Sequence, residues 1–336
     1  MLTRVAINGF GRIGRATFKA ILERTKLEIV AINDLTDTKI LAHLLKYDSV
    51  YGKYDKEVSY KDKSLIVEGR DYPVFAEREP ANLPWKKLSV DVVIESTGRF
   101  TTKELASSHL KAGARRVVIS APPKGGGIQT FVLGVNEEKL ADQEIISNAS
   151  CTTNCIAPVA QIIQAKFGIK KATMTTVHAY TADQNLVDGP HKDLRRARAA
   201  ALNMVPTTTG AAAATIETIP ELKGLFDGLS VRVPTPVVSL SDLTFLLKKK
   251  VTVEEVNKAF KEAKKKPQYR NIIDLTEEQV VSTDLIGNPY SSIIDLPLTK
   301  VIDGDLLKVV AWYDNEWGYS CRLAEIVEFV GKSLAK

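Results

Sequence analysis

The sequence is poor in cysteine, with three in 336 residues. An odd and small number of thiols argues against a disulfide framework and indicates a reducing compartment such as the cytosol. Long apolar runs are also lacking, since no stretch approaches the roughly 18 apolar residues of a membrane span. The first residues, MLTRVAINGFGRIGR, hold no apolar segment long enough for a signal peptide. These absences exclude a disulfide-stapled scaffold and a membrane span, and we expect a cytoplasmic protein.

The formal charge leans to the basic side, at +6 with a pI near 9.0. Part of the excess lies in short runs, LKKKV at 247–251 and AKKKPQYR at 263–270, which are typical of solvated loops and helix ends. No recognised DNA- or RNA-binding module is visible, so nucleic acid is not predicted as the primary partner. A basic surface also suits an enzyme whose substrates are phosphates and dinucleotides.

A glycine-rich loop follows the first apolar segment. RVAING is typical of a short buried strand, and GFGRIGRATFKAIL then passes into helical spacing. Gly9, Gly11 and Gly14 fit G-x-G-x-x-G, which permits a tight turn, a close approach to pyrophosphate and packing of helix on strand. The next strand, LEIVAIND, ends at Asp34, whose carboxylate would accept ribose hydroxyls and repel a 2′-phosphate. Asp34 alone would also suit a turn or a helix cap, but the ordered set predicts a site for NAD.

The pattern of apolar segments changes near residue 148. Before it, SVDVVIES and RRVVISA are continuous apolar runs separated by a helical stretch, which is typical of a buried parallel sheet. After it, longer strands with fewer helices predict a mixed or antiparallel sheet. These later segments are strands at 172–178, 235–248 and 308–314, a helix capped at Thr252, and a helix over 321–336. The chain is long enough for two domains. The predicted fold class is α/β, with a Rossmann-type parallel-sheet dinucleotide domain and an α+β catalytic domain.

Two of the three cysteines lie in SNASCTTNCIAP, at residues 147–158. Ser150 suits a helix N-cap, and helical spacing then continues to Gly168, with Pro158 expected to kink the helix or mark a register break. Cys151 would lie in the first turn, where the helix dipole and unpaired N–H groups favour a thiolate. Cys155, one turn later, faces an apolar run and is predicted to be a buried side chain.

Several interpretations of the two thiols are open at this point. A metal site would need further ligands, and the nearest histidine, His178, is alone on its strand. A disulfide across one helical turn would strain the geometry, whereas two merely buried thiols are a plain alternative. His178 favours nucleophilic chemistry, because an imidazole beside a helix-start thiol can act as its base. A thiol beside a nicotinamide would add to an aldehyde, pass hydride to NAD⁺ and keep the acyl group as a thioester.

End to end, the chain resembles the phosphorylating, glycolytic glyceraldehyde-3-phosphate dehydrogenases. The matching stretches are INGFGRIGR, INDLTD, LLKYDSVYG, ESTGRF, SNASCTTNC, TTVHAYTADQ, HKDLRRARAAA, PTTTGAA, VRVPTP and WYDNEWGYS. The resemblance implies a dinucleotide-binding domain over 1–150, a catalytic domain over 151–315, and a last segment, 316–336, that returns to the first domain. It also implies oxidation of glyceraldehyde 3-phosphate with NAD⁺ and inorganic phosphate to 1,3-bisphosphoglycerate, in a homotetramer without a catalytic metal.

The resemblance implies roles at matching positions. Cys151 would be the nucleophile and His178 the base and oxyanion partner. The first anion group would hold the phosphate of the substrate and the second the attacking phosphate; the first is Thr181, Arg196 and Arg232, and the second Ser150, Thr152, Thr209 and Gly210. Arginines and small hydroxyl or glycine donors are chemically suited to phosphate. Arg196 is the weakest assignment because it lies in LRRAR, where three arginines compete.

The cofactor residues implied by the resemblance lie mostly in the first domain. They are Gly9, Gly11, Arg12, Ile13, Gly14, Asp34, Arg78, Thr97, Ser120, Asn315 and Tyr319. Asn315 would orient the nicotinamide amide and Tyr319 would pack near the ring. The chain departs from many members at Ala213, where they have lysine, and at PKGGG over 123–127, but neither position touches the matched catalytic residues.

Three rival functions are open on the sequence alone. Erythrose-4-phosphate dehydrogenase shares the fold and thiol but hydrolyses its thioester, and PTTTGAA favours phosphorolysis because it retains the hydroxyl–glycine pair. Use of NADP would require the site near Asp34 to tolerate another phosphate. A non-catalytic protein that binds RNA through its basic surface is disfavoured by the intact Cys151, His178 and anion groups.

Overall fold

A computed structural model describes residues 2–140 and 142–334 of the chain. The chain forms two compact units. The first consists of Met1–Phe131, Leu140–Ala149 and Ser320–Lys336, and the second of Val132–Lys139 and Ser150–Tyr319. The sequence-based boundaries, at 150 and 316, lie within a few residues of the changes at 149/150 and 319/320.

The first unit is a mainly parallel sheet with crossover helices. Its strands are β1 Thr3–Asn8, β2 Leu27–Asn33, β3 Tyr47–Asp48, β4 Gly52–Lys53, β5 Val58–Lys61, β6 Ser64–Val67, β7 Arg70–Phe75, β8 Val92–Glu95, β9 Arg116–Ile119, β10 Gln129–Thr130 and β11 Ile145–Ser147. Its first helices are α1 Arg12–Arg24, α2 Thr38–Lys46 and α3 Lys103–Lys111. The strand order is β10-β11-β9-β8-β1-β2-β7-β6-β5, with β3 paired to β4 apart from it. The predicted parallel α/β fold is confirmed.

Strand β1 lies at the centre of this sheet, between β2 and β8, and is parallel to both. Val5, Ala6 and Ile7 are fully buried, which explains why the segment is apolar at successive positions rather than alternating. The carboxyl ends of β1, β2 and β8 therefore form one edge, where loops rather than helix faces are available to bind a ligand.

An antiparallel meander of β5, β6 and β7 extends the sheet, and the sequence reading missed it. β7 pairs in parallel with the end of β2, and β6 pairs antiparallel with β5 and β7. These strands are short and partly exposed, and polar residues such as those in VSYK and RDYPVF interrupt the apolar pattern. Short edge strands with mixed composition give a weak periodic signal.

The second unit is built on a mixed sheet, as predicted. Its strands are β12 Ile169–Ala179, β13 Val205–Thr208, β14 Phe226–Val233, β15 Ser239–Leu247, β16 Ile273–Thr276, β17 Ser292–Asp295, β18 Lys300–Ile302 and β19 Leu306–Tyr313. Its helices are α4 Cys151–Phe167, α5 Ala211–Thr218 and α6 Val253–Lys264. The strand order is β13-β14-β12-β15-β19-β17-β16, and β18 pairs with β19. β12 is parallel to β14 and antiparallel to β15.

Helices α4 and α6 follow their sequence signals. Thr252 and Glu255 form the capping box predicted for α6. α4 begins at Cys151 and ends before Gly168, whose φ of 72° suits a glycine after a helix. Pro158 lies inside α4, and the helix continues past it to Phe167.

The last helix, α7, spans Trp317–Ser333 and begins four residues before the predicted start. Leu323, Ile326, Val327 and Val330 are buried, as their spacing predicts, whereas Leu334 lies in a turn after the helix. Within residues 2–140 and 142–334, no helix is long and apolar enough to cross a membrane.

Candidate active site

The glycine loop between β1 and α1 is packed too closely for side chains at two positions. Gly9 has a φ of +93°, and a Cβ there would lie 2.8 Å from the backbone nitrogen of Thr97. A Cβ on Gly14 would lie 2.1 Å from the carbonyl oxygen of Gly9. Gly11 differs, because among the described residues no heavy atom beyond Gly11 and its two chain neighbours lies within 4 Å of its Cβ position. The protein itself therefore requires Gly9 and Gly14, whereas Gly11 leaves open space in front of the first turn of α1.

A cavity of about 460 Å³ lies at this loop, at the carboxyl ends of β1, β2 and β8. Its volume is in the range of small-molecule and cofactor sites. Five predicted cofactor residues line it: Gly9, Gly11, Asp34, Arg78 and Thr97. The other lining residues are Asn8, Asn33, Leu35, Glu77, Glu79, Ser96, Arg99 and Phe100.

Asp34 carries a carboxylate into this cavity. One oxygen accepts the backbone N–H of Phe10 at 2.7 Å and the other that of Thr36 at 2.9 Å. Each oxygen keeps a lone pair after these bonds, so the carboxylate is held in place and can still accept hydroxyl donors. This chemistry suits a ribose diol and disfavours an added phosphate.

The remaining predicted cofactor residues of this unit are not in the described lining of the cavity. The guanidinium of Arg12 bonds to Asp48 at 3.1 and 3.3 Å, so its side chain is committed elsewhere. Ile13 follows it in the first turn of α1, and Gly14 packs against Gly9. Ser120 follows β9, where its backbone N–H donates to Glu95 O at 2.9 Å. Arg12 and Ile13 can contribute backbone N–H groups at the start of α1, as helix starts do for phosphates.

A buried polar network supports Thr97, and sequence reasoning missed it. One oxygen of Glu95 accepts both the N–H and the hydroxyl of Thr97, while the other accepts Asn8 Nδ2 at 2.6 Å and contacts His109 Nε2 at 3.1 Å. Trp85 Nε1, a donor only, bonds to His109 Nδ1 at 3.1 Å. The partners come from four separate segments, so no local spacing signals them.

In the second unit, the start of α4 presents the thiol. Ser150 is the N-cap, and its Oγ accepts the N–H of Thr153 at 3.0 Å. Cys151 follows as the first helical residue and is half-buried, and its Sγ lies 3.5 Å from His178 Nε2. His178 is held near the end of β12. The structure therefore brings together the two residues predicted to be nucleophile and base.

The contacts of His178 identify its tautomer. Nδ1 lies 2.6 Å from the carbonyl oxygen of Ala179, which can only accept, so Nδ1 carries the hydrogen. Arg232 Nη1 lies 3.0 Å from the same nitrogen and 3.2 Å from Ala179 O, and as a donor it bonds to the carbonyl. Nε2 of the neutral ring therefore presents a lone pair to Cys151, which is the arrangement that a general base requires.

The directions in which the pKa values of Cys151 and His178 shift differ from what the helix start predicts. Burial raises the pKa of Cys151, and Arg232, Thr152 and nearby backbone N–H groups offset only part of this rise. Burial and then Arg232 lower the pKa of His178 to about 3. Burial therefore opposes the predicted thiolate in the free protein and outweighs the helix start, and the directions of the two pKa values favour a thiol and a neutral imidazole.

Part of the first anion group comes together beside His178. Arg232 lies opposite His178 in the parallel pairing of β12 with β14. Its Nη1 donates to the hydroxyl of Thr181 at 3.3 Å, and burial lowers its pKa. A partly buried cation with a hydroxyl neighbour is chemically suited to a phosphate.

Arg196 makes its bonds next to the second anion group, whereas Arg232 and Thr181 bond to each other. The guanidinium of Arg196 pairs with Asp183 and donates to Thr208 O at 3.3 Å. Thr209 and Gly210 follow directly, and Gly210 is the N-cap residue of α5. The Thr209 hydroxyl accepts the N–H of Ala211 at 3.2 Å. Arg196 is nevertheless close enough to lower the pKa of His178.

Asn315 has a fixed amide orientation. Ser239 Oγ accepts the N–H of Ala179 at 3.1 Å and donates to Asn315 Oδ1 at 2.9 Å. The amide oxygen of Asn315 is thus used, and its nitrogen is left to donate. Ser239 is a supporting residue that the sequence reading missed. Tyr319, the other predicted nicotinamide neighbour, is buried near the start of α7.

Cys151 and Cys155 are free thiols. Cys155 is fully buried against Ser292 and Ala311 O, and burial raises its pKa to about 12, so the prediction that it is a packing residue is confirmed. In the described part of the chain, no three His, Cys, Asp or Glu side chains gather where they could hold a metal ion.

Comparisons with known proteins match both units. Residues 3–103 match the family model described as glyceraldehyde 3-phosphate dehydrogenase, NAD binding domain, and residues 150–315 match the C-terminal domain of the same enzyme. The chain is 53% identical to the glyceraldehyde-3-phosphate dehydrogenase of Streptomyces coelicolor, with 99% of this chain and all of the relative aligned. It is 54% identical to that of Geobacillus stearothermophilus, over 98% of both chains, and 55% identical to that of Mycolicibacterium smegmatis, over 99% of this chain and all of the relative.

Proposed function

The chain belongs to the glyceraldehyde-3-phosphate dehydrogenase family, and we propose that it oxidises glyceraldehyde 3-phosphate to 1,3-bisphosphoglycerate with NAD⁺ and inorganic phosphate. The observation that carries the proposal is the contact between Cys151 Sγ and Nε2 of His178, at 3.5 Å. We assign cofactor binding to residues 1–150 with 316–336, and catalysis to residues 151–315.

The residues around the glycine loop fit NAD. The open space at Gly11 admits a pyrophosphate against the start of α1, and the carboxylate of Asp34 suits an unmodified ribose. Gly9, Gly11, Asp34, Arg78 and Thr97 would hold the adenosine half. Arg12, Ile13, Gly14 and Ser120 support this loop, and Asn315 and Tyr319 would serve the nicotinamide. When bound, NAD⁺ supplies the acceptor for hydride.

The first covalent step follows from the tautomer of His178. Cys151 Sγ attacks the aldehyde carbon while its proton passes to Nε2, so a C–S bond forms and the ring becomes an imidazolium. The new Nε2–H then neutralises the alkoxide to give a thiohemiacetal. Nδ1–H remains bonded to Ala179 O throughout, which keeps the ring in position. Depressed basicity makes the imidazolium a strong donor, so it returns its proton readily.

Oxidation and acyl transfer use the same two residues. Nε2 takes back the hydroxyl proton as the C–H bond breaks and its electron pair leaves as hydride, and a thioester on Cys151 remains. An oxygen of monohydrogen phosphate then attacks the acyl carbon, the C–S bond breaks to give the acyl phosphate, and the Cys151 thiolate takes the proton of the His178 imidazolium, which restores the resting pair. The N–H of Cys151 at the helix start is a donor for the oxyanion. The proton that the attacking phosphate loses as the acyl phosphate forms is the one released in the overall reaction.

Two anion groups would hold the phosphates. Arg232 and Thr181, already bonded to each other beside His178, support a site for the phosphate of the substrate, with Arg196 as a further cation. Thr152, Thr209 and Gly210 support the attacking phosphate, and Ser150 would share its hydroxyl between that phosphate and the helix cap. Retention of this second group favours phosphorolysis over hydrolysis.

We also infer that the protein is a cytoplasmic homotetramer. The segment from 186 to 204 exposes five large apolar side chains, each to at least 74%: Leu186, Val187, Leu194, Leu202 and Met204. A cluster of this kind is typical of a surface covered by another protein. Sedimentation equilibrium should give about four times the 36.9 kDa of one chain, and a monomer at micromolar concentration would contradict this part of the proposal.

A trapped intermediate tests the function. In phosphate-free buffer with NAD⁺ and substrate, intact-mass analysis should show one acyl group per chain, located on Cys151 by peptide mapping. The Cys151→Ala variant should bind NAD⁺ in calorimetry as the wild type does but form neither NADH nor the adduct. NADH production by that variant, or an acyl group on Cys155, would contradict the proposal.

A further inference from the structure

Three buried hydroxyl groups form a chain behind the thiol. The hydroxyl of Tyr313 lies 2.8 Å from Thr152 Oγ1 and 2.8 Å from Thr176 Oγ1, and Thr176 Oγ1 donates to the carbonyl oxygen of Leu240 at 3.2 Å. Tyr313 and Thr176 are 1% exposed and Thr152 is 4% exposed, so water does not compete for these bonds. Thr152 also borders the catalytic thiol, with its Oγ1 4.0 Å from Cys151 Sγ.

The carbonyl at the end of the chain fixes the direction of every bond in it. Leu240 O can only accept, so the single hydrogen of Thr176 is used there. Tyr313 must then donate to Thr176, and Thr152 must donate to Tyr313. The reverse direction would leave the contact between Thr176 and Leu240 O, at 3.2 Å, without a hydrogen, and would replace it only with a longer bond from Thr152 to Cys151 Sγ, at 4.0 Å. A buried polar group without a partner is costly, so the fully bonded direction is favoured.

This direction determines what Thr152 offers to a ligand. Its only hydrogen points to Tyr313, so toward the thiol side it presents lone pairs alone. A fully deprotonated oxyanion in front of it would meet another oxygen without a hydrogen between them. A monohydrogen phosphate can instead donate its own O–H to Thr152 and keep its other oxygens for attack and for cationic partners.

We propose that Tyr313 is a positioning residue that holds Thr152 as a hydrogen-bond acceptor, so that the attacking phosphate is selected in its monohydrogen form through its O–H group. The inference rests on the proposed function, because it concerns the second anion group. An acceptor at Thr152 would favour phosphate over dianions of the same shape that carry no proton. The chemical class selected is a tetrahedral oxyanion with one protonated oxygen.

Sulfate is the matched probe. At pH 8 sulfate and phosphate are both tetrahedral dianions of similar size, but only phosphate carries a hydrogen. With glyceraldehyde 3-phosphate saturating, the inhibition constant of sulfate against phosphate is compared with the KM for phosphate. For the wild type we expect sulfate to bind about tenfold more weakly than phosphate, which corresponds to one hydrogen bond to a charged group.

Two variants free the hydroxyl hydrogen of Thr152 while leaving the residue itself in place. Tyr313→Phe deletes the acceptor of its hydrogen, and Thr176→Val frees the hydrogen of Tyr313 to turn toward Thr152. In both, Thr152 can turn its own hydrogen toward the anion, so sulfate inhibition should strengthen about tenfold while the KM for phosphate changes less than threefold. In Thr152→Val, by contrast, phosphate should weaken while sulfate is unchanged.

These measurements distinguish a role of Tyr313 in selecting the anion from a purely structural role. A merely structural tyrosine would alter kcat or stability but leave the sulfate-to-phosphate ratio as it is. An unchanged ratio in both Tyr313→Phe and Thr176→Val overturns the inference. Turnover of the wild type without any phosphate would contradict the proposed function instead. In that case calorimetric titration with sulfate still decides the inference, which fails if neither variant binds sulfate more tightly than the wild type does.

Discussion

The side chain on which the chemistry most depends is His178, and its protonation is controlled from two sides. Ala179 O fixes the hydrogen on Nδ1, while burial and Arg232 lower the pKa of the ring to about 3. The residue is thus a neutral base at physiological pH. Sequence reasoning found the residue but not its charge state, because the cation beside it comes from another strand, 54 positions away.

The lowered pKa of His178 predicts a pH dependence of stability. An unfolded histidine titrates near 6.5, so between pH 6.5 and 3 the unfolded chain binds a proton that the native state does not. The free energy of unfolding should therefore fall as pH falls through this window, with a slope approaching about 1.4 kcal/mol per pH unit. Urea unfolding at pH 7 and pH 5 measures this loss. His178→Asn should lose about 2 kcal/mol less than the wild type does, and equal losses would contradict the assignment.

A single substitution at Arg232 tests whether this residue binds the phosphate of the substrate. Its bond to the Thr181 hydroxyl and its position beside His178 suit a substrate phosphate. Arg232→Lys keeps a cation but loses the planar fork, so the KM for glyceraldehyde 3-phosphate should rise at least tenfold. Steady-state assays with unphosphorylated glyceraldehyde are the control and should change less than threefold. An equal effect on both aldehydes would place Arg232 in the thiol chemistry instead of phosphate binding.

Among the structural elements, the glycine loop of the first unit contains glycines with two different roles, one in packing and one in leaving room for a ligand. Gly14 is required by the fold, because a Cβ there would lie 2.1 Å from Gly9 O, whereas Gly11 faces open space. Gly11→Ala should therefore leave the melting temperature within about 2 °C and weaken NAD⁺ binding at least tenfold. Gly14→Ala should lower the melting temperature as well. Calorimetry and thermal melts measure both, and normal NAD⁺ binding by Gly11→Ala would contradict the placement of the cofactor.

Elements with strong local signals were predictable. The first strand, the glycine loop, the capped helices and the helix start at Cys151 all follow from spacing and cap residues near in sequence. The meander of β5, β6 and β7 was not, because short strands with mixed composition show little periodicity. The strand predicted at 235–248 begins only at Ser239, since Val238 adopts a φ of 67° that interrupts extended backbone.

Over the whole molecule, residues that touch ligands were more predictable than residues that orient them. Cys151, His178 and Asp34 are signalled by motifs with a chemical purpose. Tyr313 reaches Thr152 across 161 positions, and Glu95 joins Asn8 across 87 positions. Contacts of this kind arise only when strands from distant parts of the chain pair, so neither periodicity nor spacing reveals them. The same holds for burial, which sets the pKa of Cys151.

Release of the thioester on Cys151 by inorganic phosphate can be measured by rapid mixing, with NADH formation followed in the absence of phosphate. We expect a burst of about one NADH per chain followed by near arrest, and steady turnover once phosphate is added. Turnover that continues without phosphate at the phosphate-supplied rate would show that water releases the acyl group, and phosphorolysis would then be wrong.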